Sequence, residues 1–421
     1  MKKSFHTRER RRGKMRALGL LFAVAALTGL LAGCQMPELP ALLGAPRESP
    51  VPLSLAWTAP PTPTPSPTPT PSPTPEPLSP AEEKLQSMTL EQKVAQLFIV
   101  SPEQLLGRDD GDTVTDYDGA EPLCDVGGVI FFAENIQTPA QCSGLIEALQ
   151  AACGTPLFVA VDEEGGAVAR VGSNSAMGTT AFPSMAYITT AEEAYHAGNT
   201  IGTELMALGF NLDFAPVADV NSNPNNPVIG TRSFGSDPDY VAGQVSAMVQ
   251  GFRDSGILCT LKHFPGHGDT KTDSHLGYAE VTKTLGELEQ TEFVPFAAGI
   301  AAGAELVMAG HLSAPQVTGD ETPATLSSVL LGLLREELGF AGLIVTDAMR
   351  MNAITDDYSA ARAAVLAMQA GADLLLLPED FPAAMQGLLD AVASGELSEE
   401  RIDESALRIL ETKAAAGILR P

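Results

Sequence analysis

Aromatic and basic residues are scarce in this 421-residue chain, and both shortages limit the functions open to it. Only 5% of the residues are aromatic, with a single tryptophan at Trp57. Lys and Arg number 25 against 52 Asp and Glu, which gives a formal net charge of −27. Such a charge repels the phosphates of nucleic acids and the headgroups of anionic lipids. The composition therefore argues against nucleic acid as a partner and indicates an acidic, solvated surface.

A long apolar run is also missing at the N-terminus. Basic residues between Lys2 and Arg16 precede the apolar stretch Ala17–Leu31, which is shorter than the roughly 20 residues of a membrane-spanning helix. This order is typical of a secretory signal peptide. The stretch ends in Leu-Ala-Gly-Cys at residues 31–34, which resembles the lipobox of bacterial lipoproteins. We therefore predict a signal peptide over 1–33 and a lipid on Cys34. The alternative is an ordinary secretory signal with an incidental cysteine.

Residues 34–80 contain a long proline-rich stretch that lacks the apolar residues of a folded core. Pro60–Pro77 consists almost entirely of proline alternating with threonine or serine, a composition that favours extended polyproline geometry. At about 3.1 Å per residue, some twenty such residues would span roughly 60 Å. We predict a linker that holds a domain away from the outer face of the bacterial cell membrane, where the lipid anchors the protein.

The remaining segment, 81–421, contains regularly spaced strand and helix patterns. Apolar runs typical of buried strands alternate with segments of helical spacing such as Ala191–Leu208 and Asp239–Ser255. The predicted strands are Gln96–Val100, Gly128–Phe132, Leu157–Val161, Leu212–Ala215, Leu258–Leu261, Glu305–Met308, Gly342–Thr346 and Asp373–Leu377. Eight strands alternating with helices predict an α/β fold, a single (β/α)8 TIM barrel. A doubly wound sheet is the alternative, but no G-x-G-x-x-G motif follows any predicted strand.

Four cysteines besides Cys34 lie in the predicted barrel domain, and none forms a C-x-x-C pair. Cys124 precedes the second predicted strand and Cys153 ends the helix before the third, so both are expected at the N-terminal end of the barrel. We predict a disulfide between them, because an exported protein can form one. Cys142 lies too far along the same helix to pair. Cys259 is expected to be buried and free.

Charged residues collect at the carboxyl ends of the predicted strands, where barrel enzymes build their active sites. The densest stretch is Lys-His-Phe-Pro-Gly-His-Gly-Asp-Thr at residues 262–270, followed by Asp-Ser-His at 273–275. It resembles the signature of the family 3 glycoside hydrolases, in the β-N-acetylglucosaminidase branch. Similar segments lie at 162–170, 210–220, 230–235 and 346–349. At two positions the first of these departs from the family pattern, with Glu163 for glutamine and Ala167 for arginine.

The resemblance implies a role for each of a set of residues. Asp347 would be the nucleophile of a retaining glycosidase, and His275, oriented by Asp273, the general acid/base. The residues that would hold the sugar are Asp162, Arg170, Arg232, Lys262 and His263. The implied reaction is the release of terminal β-linked N-acetylglucosamine from peptidoglycan fragments or chitin-type oligomers. No cofactor or metal is implied, and we expect a monomer.

The implied pair of catalytic groups is chemically reasonable. A retaining glycosidase needs a carboxylate on one face of the sugar and a proton donor on the other. Asp273 can accept the N–H of the imidazole of His275, fix its tautomer and raise its pKa. For His267 and Asp269 we favour a role in bracing the loop, and Asp219 could be a helix N-cap. The role of His311 stays open.

Several other functions remain as alternatives. An N-acetylglucosaminide phosphorylase or a β-glucosidase of the same family would use much the same residues. A metal-dependent hydrolase could take ligands from His263, His267, His275, His311 and Asp347, but Lys262 would then sit beside the metal. A sugar-binding lipoprotein would need stacking aromatics rather than a nucleophile opposite an acid.

Overall fold

Eight parallel strands form a ring in the computed structural model, which describes residues 78–108, 111–271 and 279–420. The strands are β1 (Phe98–Val100), β2 (Gly128–Phe131), β3 (Phe158–Val161), β4 (Leu212–Asp213), β5 (Leu258–Phe264), β6 (Leu306–Ala309), β7 (Leu343–Thr346) and β8 (Leu375–Leu376). Each strand pairs with the next along the chain from β1 to β7, and β1 also pairs with β8. A parallel bridge between Val345 and Leu374 joins β7 to the residue before β8. The strands thus make a nearly closed barrel.

Helices lie between the strands and outside the ring. The α-helices are Pro80–Ser87, Leu90–Gln96, Pro102–Leu105, Pro139–Ala152, Ala191–Leu208, Pro238–Ser255, Leu285–Gln290, Phe293–Ala302, Pro315–Thr318, Ser328–Glu336, Asn352–Thr355, Ala360–Ala370, Phe381–Ser394 and Glu399–Ala415. Short 3-10 helices span Ala133–Asn135, Ser175–Met177, Met185–Tyr187, Gly230–Arg232 and Ala324–Leu326. Helix Ala191–Leu208 shows why these boundaries fall where they do. Thr190 forms a capping box with Glu193 at its start, and Gly209 adopts a left-handed conformation with φ 103° at its end.

Two small sheets lie outside the barrel. Glu163–Gly165 pairs with Val168–Ala169 in an antiparallel hairpin directly after β3. Ala279–Glu280 pairs in parallel with Leu312–Ser313 after β6. The antiparallel hairpin carries one wall of the site described below.

Each of the eight predicted strands overlaps a barrel strand, which confirms the predicted α/β barrel. The largest boundary error is at β5, which was expected to end at Leu261 but continues to Phe264. All seven of its residues are buried, and Phe264 still pairs with Ala309 of β6. Lys262 and His263 therefore belong to the strand rather than to the loop after it. Burial and pairing outweighed the preference of polar residues for a loop.

The predicted disulfide between Cys124 and Cys153 is wrong. Both residues are free thiols, as are the buried Cys142 and Cys259. Burial raises the pKa of Cys124 to about 12 and that of Cys153 to about 11, and the Asp125 carboxylate adds to both shifts. A thiol must ionise to attack a disulfide or an oxidant. Burial beside an anion therefore keeps this pair protonated.

The predicted signal peptide, lipobox and linker fall within residues 1–77, outside the described residues. Over the part of the chain that the structure covers, no helix is both long and apolar enough to cross a membrane.

Candidate active site

A cavity of about 290 Å³ opens at the carboxyl ends of the barrel strands. Its walls include Asp347 and all five residues that were expected to hold the sugar, namely Asp162, Arg170, Arg232, Lys262 and His263. These six come from parts of the chain as far apart as β3 and β7. The cavity thus brings together every predicted site residue that the structure describes, whereas Asp273 and His275 lie outside the described residues.

An irregularity in β5 lets two consecutive residues face the same cavity. Side chains of neighbouring residues on a regular strand point to opposite faces. The register between β5 and β6 shifts between Leu261 and Phe264, and such a shift re-aims side chains. Lys262 and His263 lie within this interval, and both line the cavity.

Glu164 lies at the centre of an ion-pair network on the cavity wall. One of its oxygens lies 2.6 Å from Nζ of Lys262 and accepts a hydrogen bond of 2.7 Å from Arg232. The other accepts from Nε of Arg232 at 2.8 Å. Lys262 Nζ also donates to Asp162 at 2.7 Å. This bidentate arrangement fixes the positions of two cationic side chains at once.

The network is ionised despite its burial. Burial alone would raise the pKa of Glu164, but the charges of Lys262 and Arg232 outweigh it and hold that pKa well below its usual range. Burial likewise opposes the charge on Lys262, yet Asp162 and Glu164 raise its pKa overall. The cavity therefore presents fixed cationic donors, which suit the hydroxyl and carbonyl oxygens of a polar ligand.

His263 is held in one orientation by Asp219. The buried Asp219 carboxylate lies 2.8 Å from Nδ1 of His263 and also accepts the backbone N–H of His263 and of His267. Since a carboxylate can only accept here, Nδ1 carries a proton. Arg232 Nη2 lies 3.4 Å from Nε2 of His263. Asp219 is thus not a helix cap, and it orients a residue of the site instead.

Asp347 directly follows β7. Its backbone N–H pairs with the carbonyl of Ala309 in β6, and its Oδ1 accepts the N–H of Ala348 at 2.7 Å. His311, whose role was open, is buried and bridges Thr325 Oγ1 at 2.6 Å to the carbonyl of Ala348 at 3.0 Å. The end of a barrel strand and a buried histidine therefore fix the backbone that carries the carboxylate.

His267 and Asp269 were expected to brace the loop after β5. His267 does so through Nδ1, which lies 2.6 Å from Oγ1 of Thr270, and Asp269 is 3.4 Å from the hydroxyl of Ser222. However, His267 also lines the cavity. Burial lowers its pKa more than the Asp219 and Asp347 carboxylates raise it, which favours the neutral imidazole.

Phe132 and Arg350 line the cavity without having been predicted. The guanidinium carbon of Arg350 lies 5.2 Å from the centre of the Phe132 ring, and that of Arg170 lies 6.0 Å from it. Such contacts between guanidinium groups and an aromatic ring are attractive. They order the rim of the cavity.

Sequence reasoning missed Glu164, Asp219, Phe132 and Arg350. Glu164 lies in the recognised segment 162–170, between Asp162 and Arg170, which were both expected to hold the sugar. Its position between them was the signal that could have identified it. Asp219 follows β4 and was interpreted locally, as a cap. Nothing in the sequence indicated that its partner would lie some forty residues further along the chain.

No group of three or more His, Cys, Asp and Glu side chains is placed to hold a metal ion in residues 78–108, 111–271 and 279–420. The Asp162 and Glu164 carboxylates of the cavity wall instead form ion pairs with Lys262 and Arg232. The arrangement is one nucleophile-like carboxylate beside fixed hydrogen-bond donors at the end of a barrel, which defines a candidate carbohydrate-active enzyme.

Comparison with known proteins agrees with this geometry. Residues 89–412 match the model of the glycosyl hydrolase family 3 N terminal domain. The chain belongs to this family. "Beta-hexosaminidase LpqI" of Mycobacterium tuberculosis is 37% identical over 335 residues, 76% of this chain and 82% of the relative.

Two further relatives are longer than this chain. "Beta-hexosaminidase A" of Pseudoalteromonas piscicida is 38% identical over 69% of this chain, which spans about half (53%) of that protein. The structure of a family 3 β-N-acetylglucosaminidase from Paenibacillus sp. FPU-7 superposes with a TM-score of 0.73 at 41% identity, covering 80% of this chain and 64% of that one.

Proposed function

We propose that this chain is a retaining exo-β-N-acetylglucosaminidase. The observation that carries the proposal is the meeting of Asp347 with the cationic donors Lys262, Arg232 and Arg170 in one cavity. A volume of about 290 Å³ is at the lower end of the range for small-ligand pockets, which suits a single terminal sugar. The names of the relatives above supply the N-acetylglucosamine specificity of the proposal.

In the first step, Asp347 attacks the anomeric carbon and forms a glycosyl-enzyme ester. The Ala348 N–H at 2.7 Å holds one carboxylate oxygen of Asp347 in place. His275 gives a proton to the departing oxygen, and Asp273 orients its imidazole. Lys262, Asp162, His263, Arg170 and Arg232 hold the sugar hydroxyls throughout. Rigid donors of this kind lower the barrier because they need no rearrangement during the reaction.

In the second step, water attacks the anomeric carbon on the face that the leaving group vacated. His275, now neutral, takes a proton from this water, and the bond to Asp347 breaks. Two displacements retain the β configuration of the released sugar. An imidazole acid/base has no negative charge to repel an incoming anion, so phosphate is the acceptor to test beside water.

The proposal includes a location. A lipid on Cys34 and an extended linker would tether the barrel domain, 81–421, outside the bacterial cell membrane within reach of cell-wall glycans. Replacement of Cys34 by Ala should move the protein from the membrane fraction to the soluble fraction or block its maturation. Unchanged fractionation with membranes would contradict the lipid anchor.

The experiment that tests the function compares aryl β-N-acetylglucosaminide with aryl β-glucoside, each with and without phosphate. We expect turnover of the first substrate, release of N-acetylglucosamine with retained configuration by NMR, and little turnover of the glucoside. Preference for the glucoside would make the chain a β-glucosidase. Release of the sugar 1-phosphate would make it a phosphorylase, and turnover of neither would favour a binding protein.

A further inference from the structure

Arg170 lines the cavity, and its side chain contacts the aromatic ring of Phe132. Its guanidinium lies over the Phe132 ring at 6.0 Å. Its Nε is buried and has no hydrogen-bond partner within the part of the chain that the structure describes. The backbone that carries Arg170 therefore contributes to the position of its guanidinium group.

That backbone is held by the side chain of Glu163. One carboxylate oxygen accepts the N–H of Val171 at 2.7 Å, and the other accepts the N–H of Gly172 at 3.0 Å. These are the two residues directly after Arg170. A Cβ added to Gly172 would lie 2.6 Å from Oε1 of Glu163, so only glycine lets the carboxylate approach this closely. Glu163, in the first strand of the hairpin, thus ties that strand to the backbone directly after Arg170.

Both oxygens of Glu163 act as acceptors, and this favours the ionised form. A protonated carboxyl would place an O–H opposite a backbone N–H, where one hydrogen bond is lost and two donors face each other. A glutamine at 163, the residue expected from the family pattern, has the same shape but only one acceptor oxygen. The carboxylate is therefore the form that pins both N–H groups.

The surroundings of Glu163 make its charge sensitive to pH. Burial raises its pKa, against which the N–H groups of Val171 and Gly172 and the charge of Arg170 act. The other charged groups that face it are Asp213, whose Oδ1 accepts the Glu163 N–H at 2.9 Å, and Glu204, across a small cavity that both carboxylates line. Asp213 is itself fully buried, and burial raises its pKa well above the usual value.

We propose that Glu163 is a positioning residue that places Arg170 against the bound sugar through the Val171–Gly172 backbone, and that its protonation releases Arg170. The inference rests on the proposed function, because Arg170 is assigned to the sugar there. Glu163 does not touch the substrate. Its state should consequently affect how tightly the sugar binds more than how fast the bond breaks.

The test measures KM and kcat from about pH 5 to about pH 8 for the wild type and Glu163→Gln, with an aryl β-N-acetylglucosaminide. In the wild type, KM should rise as the pH falls and Glu163 takes up a proton. In Glu163→Gln, KM should be roughly 5- to 10-fold higher at neutral pH, should lack that rise, and kcat should stay within about 2-fold. The difference between the two profiles reports Glu163, since all other groups are common to both.

A double-mutant cycle shows whether the effect passes through Arg170. Glu163→Gln should raise KM in the wild type but leave it unchanged in an Arg170→Ala background. Glu204→Gln, which changes the carboxylate on the other side of the small cavity, is the matched control and should keep the wild-type profile. Binding of free N-acetylglucosamine by calorimetry gives the same comparison without turnover.

Two outcomes would overturn the inference while the proposed function stands. One is a Glu163→Gln enzyme with the wild-type KM at every pH. The other is an equal effect of Glu163→Gln with and without Arg170, which would mean a general structural role. Failure of the wild type itself to cleave the aryl substrate would instead contradict the proposed function.

Discussion

Two buried lysines at opposite ends of the barrel have opposite electrostatic surroundings. Lys262, at the carboxyl end, has two carboxylate partners at 2.7 and 2.6 Å, and its pKa is raised. Lys413 reaches the N-terminal end, where it donates to the amide oxygen of Gln96 at 2.8 Å and lies 5.0 Å from the centre of the Phe158 ring. Burial there lowers the pKa of Lys413 to about 7.

This difference distinguishes a lysine that is available to bind a ligand from a lysine that is part of the packed interior. A buried cation stays charged only when anions replace the water that it has lost. At the carboxyl end, the protein supplies those anions and keeps a charged donor ready for a ligand. At the N-terminal end it supplies an amide and a ring, which suffice for a neutral amine. Burial of a charged residue type therefore says little about function until its partners are known.

The largest loss of activity is expected from replacing Asp347, the proposed nucleophile at the carboxyl end of the barrel. Asp347→Ala removes the atom that would form the glycosyl-enzyme ester, so kcat should fall by about 10⁴-fold or more for every substrate, whatever its leaving group. Asp356→Asn, an exposed change shortly after the same strand, is the matched control. Residual activity of Asp347→Ala near the wild-type level would assign the nucleophile to another residue.

Loss of the proton donor should show a different pattern. His275→Ala should reduce turnover of natural glycans by roughly 10²- to 10⁴-fold, because a sugar alkoxide leaves poorly without a proton. An aryl glycoside with an acidic phenol should still form the intermediate. Azide, which needs no deprotonation, should then restore its turnover, with the glycosyl azide identified by mass spectrometry.

Asp273→Ala should reduce activity less than His275→Ala and shift the pH profile of kcat/KM. If His275→Ala lowered the turnover of natural and aryl substrates equally and azide gave no rescue, the proton transfer would belong to a different group.

Replacement of Lys262 tests the charged end of the comparison. Lys262→Met keeps most of the volume but leaves Asp162 and Glu164 without their shared cation. We expect kcat/KM to fall by roughly 10²-fold, and the free energy of unfolding by about 3 kcal/mol, since removing one partner of a buried ion pair leaves an uncompensated charge. Enzyme assays and denaturant titration measure the two effects. An active and stable variant would remove Lys262 from the sugar site.

Lys413→Met, at the N-terminal end of the barrel, should increase the free energy of unfolding instead of lowering it. The folded pKa of about 7 lies below an unfolded value of about 10.4, so the unfolded chain holds more protons between these values. The stability of the wild type should therefore rise with pH over this window and lack this dependence below about pH 7.

At neutral pH, Lys413→Met should raise the free energy of unfolding by about 2–4 kcal/mol, after allowance for the lost hydrogen bond to Gln96. The gain should shrink as the pH approaches 10, and activity should not change. Denaturant titrations at several pH values measure this. A destabilised variant at pH 7 would mean that Lys413 is charged and paired in the folded state.

The two ends of the barrel also differ in how far the sequence predicted them. Strand-like runs and the spacing of the polar segments predicted the carboxyl end closely, and all described residues of the predicted sugar site line one cavity. At the N-terminal end the predicted disulfide is wrong, and no local pattern indicated that Lys413 would be buried. An amphipathic helix pattern places a lysine on its polar face, and only packing against Gln96 and Phe158 brings this one inside.

The order of strands and helices, and with it the barrel, follows from the sequence alone, because apolar periodicity is a local property that needs no partner. The tertiary structure decided which charges meet. Glu164 forms an ion pair with Lys262 from about a hundred residues away, and Asp219 orients His263. The register shift within β5 directs two neighbouring side chains toward the same cavity. Those contacts depend on register and distance between strands, which no local pattern encodes.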